Sequence, residues 1–228
     1  MLPRTLEPEV MDTAEEAADY DAMDHSEVNR RFVDDWGAAC RAAGIDPQEP
    51  QDMLDVGTGT ALIPIEFCQR YPHLRISAID LAAYMLHLAA ANVERAGFSQ
   101  RIELRLVDAK RIPLANGEFA TVVSNSIIHH IPQPLEALAE MLRMLEPGGL
   151  LFVRDLMRPR TEAELEALVM TYTPGATSSM RQLFRQSLHA ALTVDEVAEM
   201  LDPLGLDRDW VRATSDRHWT ICGVVPGT

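Results

Sequence analysis

Cysteine is scarce in this chain of 228 residues, and Cys40, Cys68 and Cys222 stand far apart in the sequence. No two of them form a Cys-x-x-Cys pair, so the spacing indicates neither a disulfide framework nor a zinc site built on thiolates. We expect buried, reduced thiols, as in a protein of the cytoplasm. The sequence predicts no metal site.

Positive charge is also in short supply, with 20 lysines and arginines against 35 aspartates and glutamates. The net charge of −15 and the pI of about 4.8 describe an acidic surface. Such a surface repels nucleic-acid backbones and anionic lipid, so we expect neither nucleic acid nor a membrane as partner. Nothing in the sequence determines an oligomeric state.

Long hydrophobic runs are missing as well. The first ten residues, MLPRTLEPEV, have no apolar core, which argues against a signal peptide, and no stretch reaches transmembrane length. Because these ten residues are acidic and contain proline, we expect them to be loose. Hydrophobic residues make up 47% of the chain and charged residues 24%, which is ordinary for a globular protein of the cytoplasm. The length suits one domain spanning 1–228.

The most informative stretch covers 54–67 and reads LDVGTGTALIPIEF. A short apolar strand ends at Asp55, the glycines Gly57 and Gly59 follow, and a helical pattern then begins. A strand, a glycine turn and a helix present backbone N–H groups to a nucleotide-like ligand. The dinucleotide fingerprint requires a further small residue where Leu62 stands, so that reading is disfavoured but stays an alternative.

Polar groups follow three later strands of the predicted sheet. Asp80, Asp108 and Asn125 come after the predicted strands at 75–79, 102–107 and 119–124. Ligands of doubly wound sheets bind at the carboxyl ends of the strands. Asp80 stands 21 positions after Gly59, and its carboxylate can accept hydrogen bonds from two ribose hydroxyl groups.

These residues resemble the motifs of the class I S-adenosylmethionine (SAM) dependent methyltransferases. In that family the acidic glycine loop, here DVGTGT, wraps the amino-acid end of SAM, and the acids after the second and third strands bind the ribose and the adenine. The phrase LRMLEPGGLLFVRDL is similar to the family's helix, Pro-Gly-Gly turn and fifth strand. The resemblance covers about 51–155 and implies SAM as cofactor. It implies these cofactor-binding residues: Asp55, Gly57, Thr58, Gly59, Asp80, Leu81, Met85, Asp108, Ala109 and Asn125.

The resemblance also implies an α/β fold with a doubly wound, mostly parallel sheet of seven strands whose last strand is antiparallel. Around that sheet we expect a helical N-terminal cap at 1–50, a SAM-binding core at 51–155, a helical lid at 156–203 and C-terminal strands at 204–228. In the cap, Val28, Phe32, Trp36 and Cys40 recur every four residues, which predicts the apolar face of a helix. Met85 in the core has two interpretations, a buried core residue or a contact of the cofactor.

Two histidines, His129 and His130, follow the fourth predicted strand. Histidine titrates near neutrality, so either could act as a general base for an acceptor with an acidic O–H or a thiol. The alternative is that one of them packs against, or caps, the following turn. Asp155 ends the fifth strand, and we interpret it as a structural carboxylate rather than a metal ligand.

Candidate substrate-binding residues lie in the cap, near the end of the fifth strand and in the lid. Arg181, Arg185 and His189 recur every four residues, which aligns them along one side of a helix where they could attract a carboxylate or phosphate. The alternative is a solvated face whose arginines pair with nearby acids. The full predicted set is Tyr20, Asn29, Arg154, Arg181, Arg185 and His189.

The sequence favours an enzyme that methylates a small molecule, which could be an anion, by direct in-line displacement. After the fourth strand stands Ser124-Asn125-Ser126-Ile127, in place of the Asn/Asp-Pro-Pro-Tyr/Phe motif of the adenine and glutamine methylases. The Pro-Cys nucleophile of the cytosine C5 enzymes is also missing from this position. A SAM-binding protein that does not methylate is one alternative, and a NAD-dependent oxidoreductase is a weaker one.

Overall fold

The computed structural model describes residues 2–10, 13–21 and 25–227. The strands are β1 (Gln51–Val56), β2 (Leu74–Asp80), β3 (Ile102–Leu106), β4 (Phe119–Asn125), β5 (Leu145–Leu156), β6 (Val211–Ala213) and β7 (His218–Val224). The helices are α1 (Ala14–Asp21), α2 (Ser26–Ala42), α3 (Leu62–Arg70), α4 (Ala83–Ala96), α5 (Pro134–Met144), α6 (Glu162–Tyr172), α7 (Ser178–Ala190) and α8 (Val194–Leu201). No helix in the described ranges has the length and hydrophobicity to cross a membrane.

The strands form one sheet in the order β3-β2-β1-β4-β5-β7-β6. β1 pairs in parallel with β2 and β4, β2 pairs in parallel with β3, and β7 runs antiparallel to β6. The predicted seven-stranded, mostly parallel sheet with an antiparallel last strand is therefore confirmed. The strand order reverses between β1 and β4, which is where doubly wound sheets bind their ligands.

The chain divides into two compact units, which we name after their polar centres. The glycine-loop unit comprises Val10–Asn125, Glu136–Val153 and Cys222–Thr228, and the histidine unit comprises Met1–Glu9, Ser126–Leu135 and Arg154–Ile221. The finer division into cap, core, lid and C-terminal strands stays a prediction.

The core of the glycine-loop unit is aromatic where α2 and α3 pack together. The Phe67 ring meets the rings of Phe32 and Trp36 edge-on, with centroids 6.2 Å and 5.0 Å apart. The prediction that Val28 belongs to this face is wrong, because Val28 is 45% exposed while Asn29 is buried. A helix turns once every 3.6 residues, so positions taken strictly four apart drift away from a straight apolar stripe.

β5 begins at Leu145, so the glycine pair of the expected Pro-Gly-Gly turn lies inside the strand. A Cβ on Gly149 would lie 2.9 Å from the Glu146 carbonyl oxygen and 3.1 Å from that of Ala120. The first distance is shorter than real Cβ contacts, and the second is tighter than most of them. Glycine is therefore required here by the close approach of the backbone.

Two helices of the histidine unit share an apolar cluster. Leu165 and Val169 of α6 pack with Leu188 of α7 and with Ala191 just after it. Thr193 caps α8 through a reciprocal capping box with Glu196.

Candidate active site

Hydrogen bonds join the loop after β1 to the end of β2. Gly57 and Gly59 have φ values of +77° and +55°, a region that side chains rarely enter. The Gly57 N–H donates to the Ile79 carbonyl at 2.9 Å, and the Gly59 N–H donates to Asp80 Oδ2 at 2.7 Å. The glycine loop and the acid 21 residues later therefore meet, as their sequence spacing implies.

The Asp80 carboxylate is oriented by backbone donors on both of its oxygens. Asp80 Oδ1 accepts the N–H of Ala82 at 2.9 Å, while Oδ2 accepts that of Gly59. These two backbone bonds fix the orientation of the carboxylate, whose oxygens are hydrogen-bond acceptors.

Buried side-chain acceptors lie beside this loop. Asp55 Oδ2 at the end of β1 and the hydroxyl oxygens of Thr58 and Thr60 have no hydrogen-bond partner among the residues that the structure describes. Burial raises the pKa of Asp55 to about 7; the nearby Thr58 hydroxyl opposes this shift, and the charge of Asp80 adds to it. Because leaving buried acceptors unpaired is costly, these atoms are suited to bind donors of a ligand.

Tyr20 of α1 lies over the glycine loop. A Cβ on Gly59 would lie 3.8 Å from Tyr20 Cε1. Burial raises the pKa of Tyr20 to about 12, and the nearby Asp80 and Asp55 carboxylates add to this effect. The sequence predicts Tyr20 as a substrate contact. The structure brings it together with the predicted cofactor residues, and its role in substrate binding stays a prediction.

The C-terminus of α1 is tied to α4 and to the loop through one amide. Asn92 Nδ2 donates to Asp21 Oδ1 at 2.8 Å and to the Thr60 carbonyl at 3.1 Å. Ala17 of α1 and Met85 of α4 are buried in one small cluster. Met85 is thus a core residue here, and its predicted contact with the cofactor stays a prediction.

The remaining predicted cofactor residues lie at the ends of β3 and β4 and after β2. Asp108 accepts the Lys110 N–H at 2.9 Å, with Lys110 Nζ at 3.0 Å. Burial alone would raise the pKa of Asp108, but these Lys110 interactions lower it overall. Leu81 is exposed, and Ala109 and Asn125 are partly exposed.

In the histidine unit, the buried Asp155 near the end of β5 fixes His129. Asp155 Oδ1 lies 2.5 Å from His129 Nδ1, and Asp155 Oδ2 accepts the backbone N–H of Ile128 at 2.5 Å and of His129 at 3.2 Å. Burial alone would lower the pKa of His129, but the charge and hydrogen bond of Asp155 raise it overall, with a further contribution from Glu7. Asp155 is thus a structural carboxylate, as predicted, and one that sets the orientation of the imidazole.

Glu7 is the residue of this cluster that sequence reasoning missed. Its Oε1 lies 3.1 Å from His130 Nδ1 and 3.5 Å from His129 Nε2. The expectation of a loose N-terminal segment is wrong for residues 2–9, because Thr5 N–H donates to the His189 carbonyl and Arg4 Nε to that of Ala190. No local pattern near Glu7 signals this placement, since its partners stand more than 120 positions away.

His130 differs from His129 in its electrostatics. Burial and the neighbouring His129 lower the pKa of His130 to about 3, so its imidazole is neutral. The two rings lie with centroids 4.1 Å apart. Both nitrogens of His129 face carboxylates, and its predicted role as a general base stays a prediction.

The predicted lid residues lie along α7, and their role in substrate binding stays a prediction. Arg185 forms a fork with Glu166, with N···O distances of 2.8 Å and 2.6 Å, as the solvated-face alternative describes. His189 Nε2 lies 3.9 Å from Glu162, and Arg181 is exposed.

The other predicted substrate residues are buried. Arg154 Nε donates to Thr220 Oγ1 at 3.1 Å in the histidine unit, and Asn29 belongs to the buried face of α2 in the glycine-loop unit. A role of either in substrate binding stays a prediction.

A doubly wound sheet with a glycine loop after β1 and acids after β2 and β3 defines a nucleoside-binding α/β domain. Residues 54–153 match the family described as "Methyltransferase domain". The chain belongs to the class I SAM-dependent methyltransferases, and SAM is the cofactor of this family. The dinucleotide-dependent class that the glycine spacing left open is not supported.

Curated relatives carry related names. The chain is 33% identical over 189 residues to the "Malonyl-[acyl-carrier protein] O-methyltransferase" of Geobacter sulfurreducens, covering 83% of this chain and 66% of that protein. It is 29% identical over 109 residues to the "Ubiquinone/menaquinone biosynthesis C-methyltransferase UbiE" of Geotalea daltonii, covering 47% and 46%. The chain spans less than two thirds of the length of these relatives.

Solved structures share the fold. A Methanococcus maripaludis protein assigned as a SAM-dependent methyltransferase aligns with a TM-score of 0.70 at 17% identity, covering 98% of this chain and 97% of that one. The plantazolicin methyltransferase BpumL, in complex with a monoazolic desmethylPZN analogue and S-adenosylhomocysteine (SAH), aligns with a TM-score of 0.70 at 14% identity, covering 92% of this chain and 88% of that one.

The polar groups of the glycine-loop unit fit SAM. Its ribose hydroxyls and its ammonium group are hydrogen-bond donors, and the unpartnered atoms Asp55 Oδ2 and Thr60 Oγ1 are acceptors. Asp80 adds a carboxylate oriented by backbone donors on both oxygens. The local charge is negative, which suits a sulfonium cofactor.

Proposed function

We propose that this chain transfers the methyl group of SAM to a small molecule. The observation that carries the proposal is the 2.7 Å hydrogen bond from the Gly59 N–H to Asp80 Oδ2 inside a segment that matches the methyltransferase domain. This bond joins the loop for the amino-acid end of SAM to the acid for its ribose. The same bond would serve a protein that binds SAM without methylating, so turnover has to be measured.

The reaction proposed is a direct in-line displacement. SAM carries its methyl group on a sulfonium, which is already electrophilic, so the protein has to hold an acceptor in line with the methyl carbon. Positioning of this kind lowers a barrier by ~7–11 kcal/mol in the best cases. In this proposal Asp80 holds the ribose, Asp108 the adenine, and the segment from Asp55 to Gly59 the amino-acid end.

The acceptor is proposed only by class, a small molecule that could be an anion. The printed name of one relative describes an O-methyltransferase and that of another a C-methyltransferase, so the relatives support methyl transfer but favour no single acceptor atom. Among the basic residues predicted for an anion, Arg185 already pairs with Glu166, and the exposed Arg181 is the stronger candidate.

The test is release of SAH from SAM in the presence of small carboxylic acids, phenols, thiols and amines. We expect one chemical class to raise SAH release well above the rate without acceptor. The Asp80→Ala variant should need more SAM to reach the same rate. SAM binding without SAH release in any class would favour the non-methylating alternative, and binding of NAD but not SAM would contradict the cofactor.

A further inference from the structure

Three side chains from distant parts of the chain converge in the histidine unit. Glu7 Oε1, His129 Nε2 and one ring nitrogen of His130 belong to a group whose ligand atoms all lie within 4.8 Å of one another. The Glu7 Oε1 and His130 Nδ1 atoms are buried, and neither has a hydrogen-bond partner among the described residues. They lie 3.1 Å apart but not in hydrogen-bonding geometry. Two unsatisfied buried polar atoms this close call for a shared partner.

We propose that Glu7, His129 and His130 bind a divalent first-row transition-metal ion, with Zn²⁺ the preferred ion. Ligand atoms at about 2.1 Å from one ion in tetrahedral geometry lie about 3.4 Å from one another. The distances from Glu7 Oε1 to His130 Nδ1 and to His129 Nε2 are 3.1 Å and 3.5 Å. The ligand nitrogens of the two imidazoles lie within 4.8 Å of each other, so binding of one ion by all three side chains requires the rings to adjust toward it.

The hydrogen bonding of His129 prepares its outer nitrogen for a metal. Asp155 Oδ1 lies 2.5 Å from His129 Nδ1, so the Nδ1–H donates to the carboxylate and Nε2 keeps its lone pair for the ion. A carboxylate behind a ligating histidine is the usual support of a metal site. Asp155 is itself held by the backbone N–H of Ile128. Its orientation therefore does not depend on the ion.

Hydrogen bonds from Arg4 and Ser187 hold the N-terminal segment and Glu7 in place. Arg4 Nη2 donates to the carbonyl oxygens of His129 and Ile131, both at 3.2 Å, so its charge is directed at the backbone rather than at Glu7. Ser187 Oγ donates to Glu7 Oε2 at 3.3 Å, on the oxygen that does not face the histidines. The Oε1 atom is therefore presented to the imidazoles.

The donor set selects the class of ion. Two imidazole nitrogens and one carboxylate suit Zn²⁺ and its first-row neighbours, whereas Mg²⁺ and Ca²⁺ prefer oxygen ligands. Three protein ligands leave a fourth position for water or for an acceptor O–H or S–H, whose pKa the ion would lower. His129 Nε2 cannot accept a proton while it binds the ion, so this site replaces the predicted general base. The binding itself does not depend on the proposed methyl transfer.

The experiment is direct metal binding by the full chain. The protein is treated with EDTA, dialysed and titrated with Zn²⁺ against a chromophoric chelator, and Co²⁺ is titrated separately to record its visible spectrum. We expect one Zn²⁺ per chain and a Co²⁺ spectrum of tetrahedral intensity. Mg²⁺ at the same concentration should not displace either ion.

Matched variants locate the site. Glu7→Gln and His130→Gln should lose stoichiometric Zn²⁺ binding, and Asp155→Asn should weaken it by about 10–100-fold, as is usual for a supporting carboxylate. His73→Gln, on an exposed histidine of the glycine-loop unit, should bind as the wild type does. Circular dichroism confirms that each variant is folded. Glu7→Gln changes one atom, so a folded variant is available even if a histidine substitution disrupts the unit.

Two results would overturn the proposal. One is a wild-type chain that binds neither Zn²⁺ nor Co²⁺ in stoichiometric amount. The other is unchanged Zn²⁺ binding in folded Glu7→Gln and His130→Gln. Neither result bears on SAM binding or SAH release, which test the methyltransferase proposal separately. If those two tests fail, the metal-binding results still decide the metal site.

Discussion

The carboxylates at the polar centres of the glycine-loop unit and the histidine unit have different partners. Asp80 is satisfied by backbone N–H groups from both sides, whereas Asp155 and Glu7 are set against imidazole rings. The first arrangement needs only the local backbone and presents fixed acceptors to a ligand rich in donors. The second concentrates negative charge and nitrogen lone pairs around one point, which suits a proton or a cation. The glycine-loop unit therefore fits binding of a cofactor, and the histidine unit fits binding of a proton or of the proposed metal ion.

The largest effect is expected from a substitution that strains the backbone of the glycine loop. Gly57→Val should abolish SAM binding, because φ is +77° at this position and a β-branched residue does not adopt that conformation without severe strain. Isothermal calorimetry measures the loss. Gly44→Val is the matched control, since Gly44 has φ +75° with open space around it. Tight SAM binding by Gly57→Val would show that the cofactor lies elsewhere.

The same contrast explains how much could be predicted from the sequence. The predicted cofactor residues follow consecutive strands, so periodicity and spacing alone are enough to place Asp55, Asp80 and Asp108 at one edge of the sheet. Glu7 could not be found in this way, because it contacts His129 and His130 only through the tertiary fold. A short acidic segment with proline has the composition of a loose terminus, and its backbone hydrogen bonds to other parts of the chain carry no local signature.

A similar limit applies on α7, where the sequence places Arg185 correctly along the helix but cannot name its partner. Glu166 stands on another helix, and the pairing depends on how α6 and α7 pack. Val28 shows the opposite case, in which a regular spacing suggested burial that the helix geometry does not support.

The second effect concerns the turnover rate, compared with the affinity for SAM. His129→Ala should lower kcat by ~10²–10⁴-fold and leave SAM affinity nearly unchanged, whether His129 accepts the acceptor proton or binds the proposed metal. Steady-state SAH release and SAM calorimetry on the same preparation separate the two quantities. A loss of turnover below about threefold would leave positioning as the whole mechanism, and an equal loss of SAM affinity would break the division of roles between the units.

The third effect is the pH dependence contributed by Asp55. Its pKa is about 7 in the folded chain against an ordinary value of 3.8, so between these values the unfolded state loses a proton that the folded state keeps. The free energy of unfolding should therefore fall from about pH 4 to about pH 7, by roughly 1–4 kcal/mol, and then level off. Denaturant unfolding of wild type and Asp55→Asn at several pH values measures this.

In that experiment Asp52→Asn serves as the control, because Asp52 is exposed on the same strand. Asp55→Asn should lack the fall in stability. The difference in the free energy of unfolding between Asp55→Asn and Asp52→Asn should therefore grow with pH. Parallel pH profiles for wild type and Asp55→Asn would mean that Asp55 is ionised in the folded chain at all of these pH values.

The smallest effect concerns the lid helix. Arg185→Ala should change KM for the acceptor by about twofold or less, because its guanidinium already pairs with Glu166 near the surface. Arg181→Ala should raise KM more if the acceptor is an anion, and the effect should shrink as salt is added. A strong, salt-sensitive rise in KM for Arg185→Ala would instead favour the predicted substrate role of both arginines.

The most direct test of the central claim is calorimetric titration of SAM into the wild type and Asp80→Ala. The account predicts one site in the wild type and a loss of about 1–3 kcal/mol in the variant, since hydrogen bonds between the carboxylate and the ribose hydroxyls are removed. NAD should give no binding signal with either protein. Equal SAM affinity in the two proteins would contradict the assignment of Asp80, and with it the cofactor site described for the glycine-loop unit.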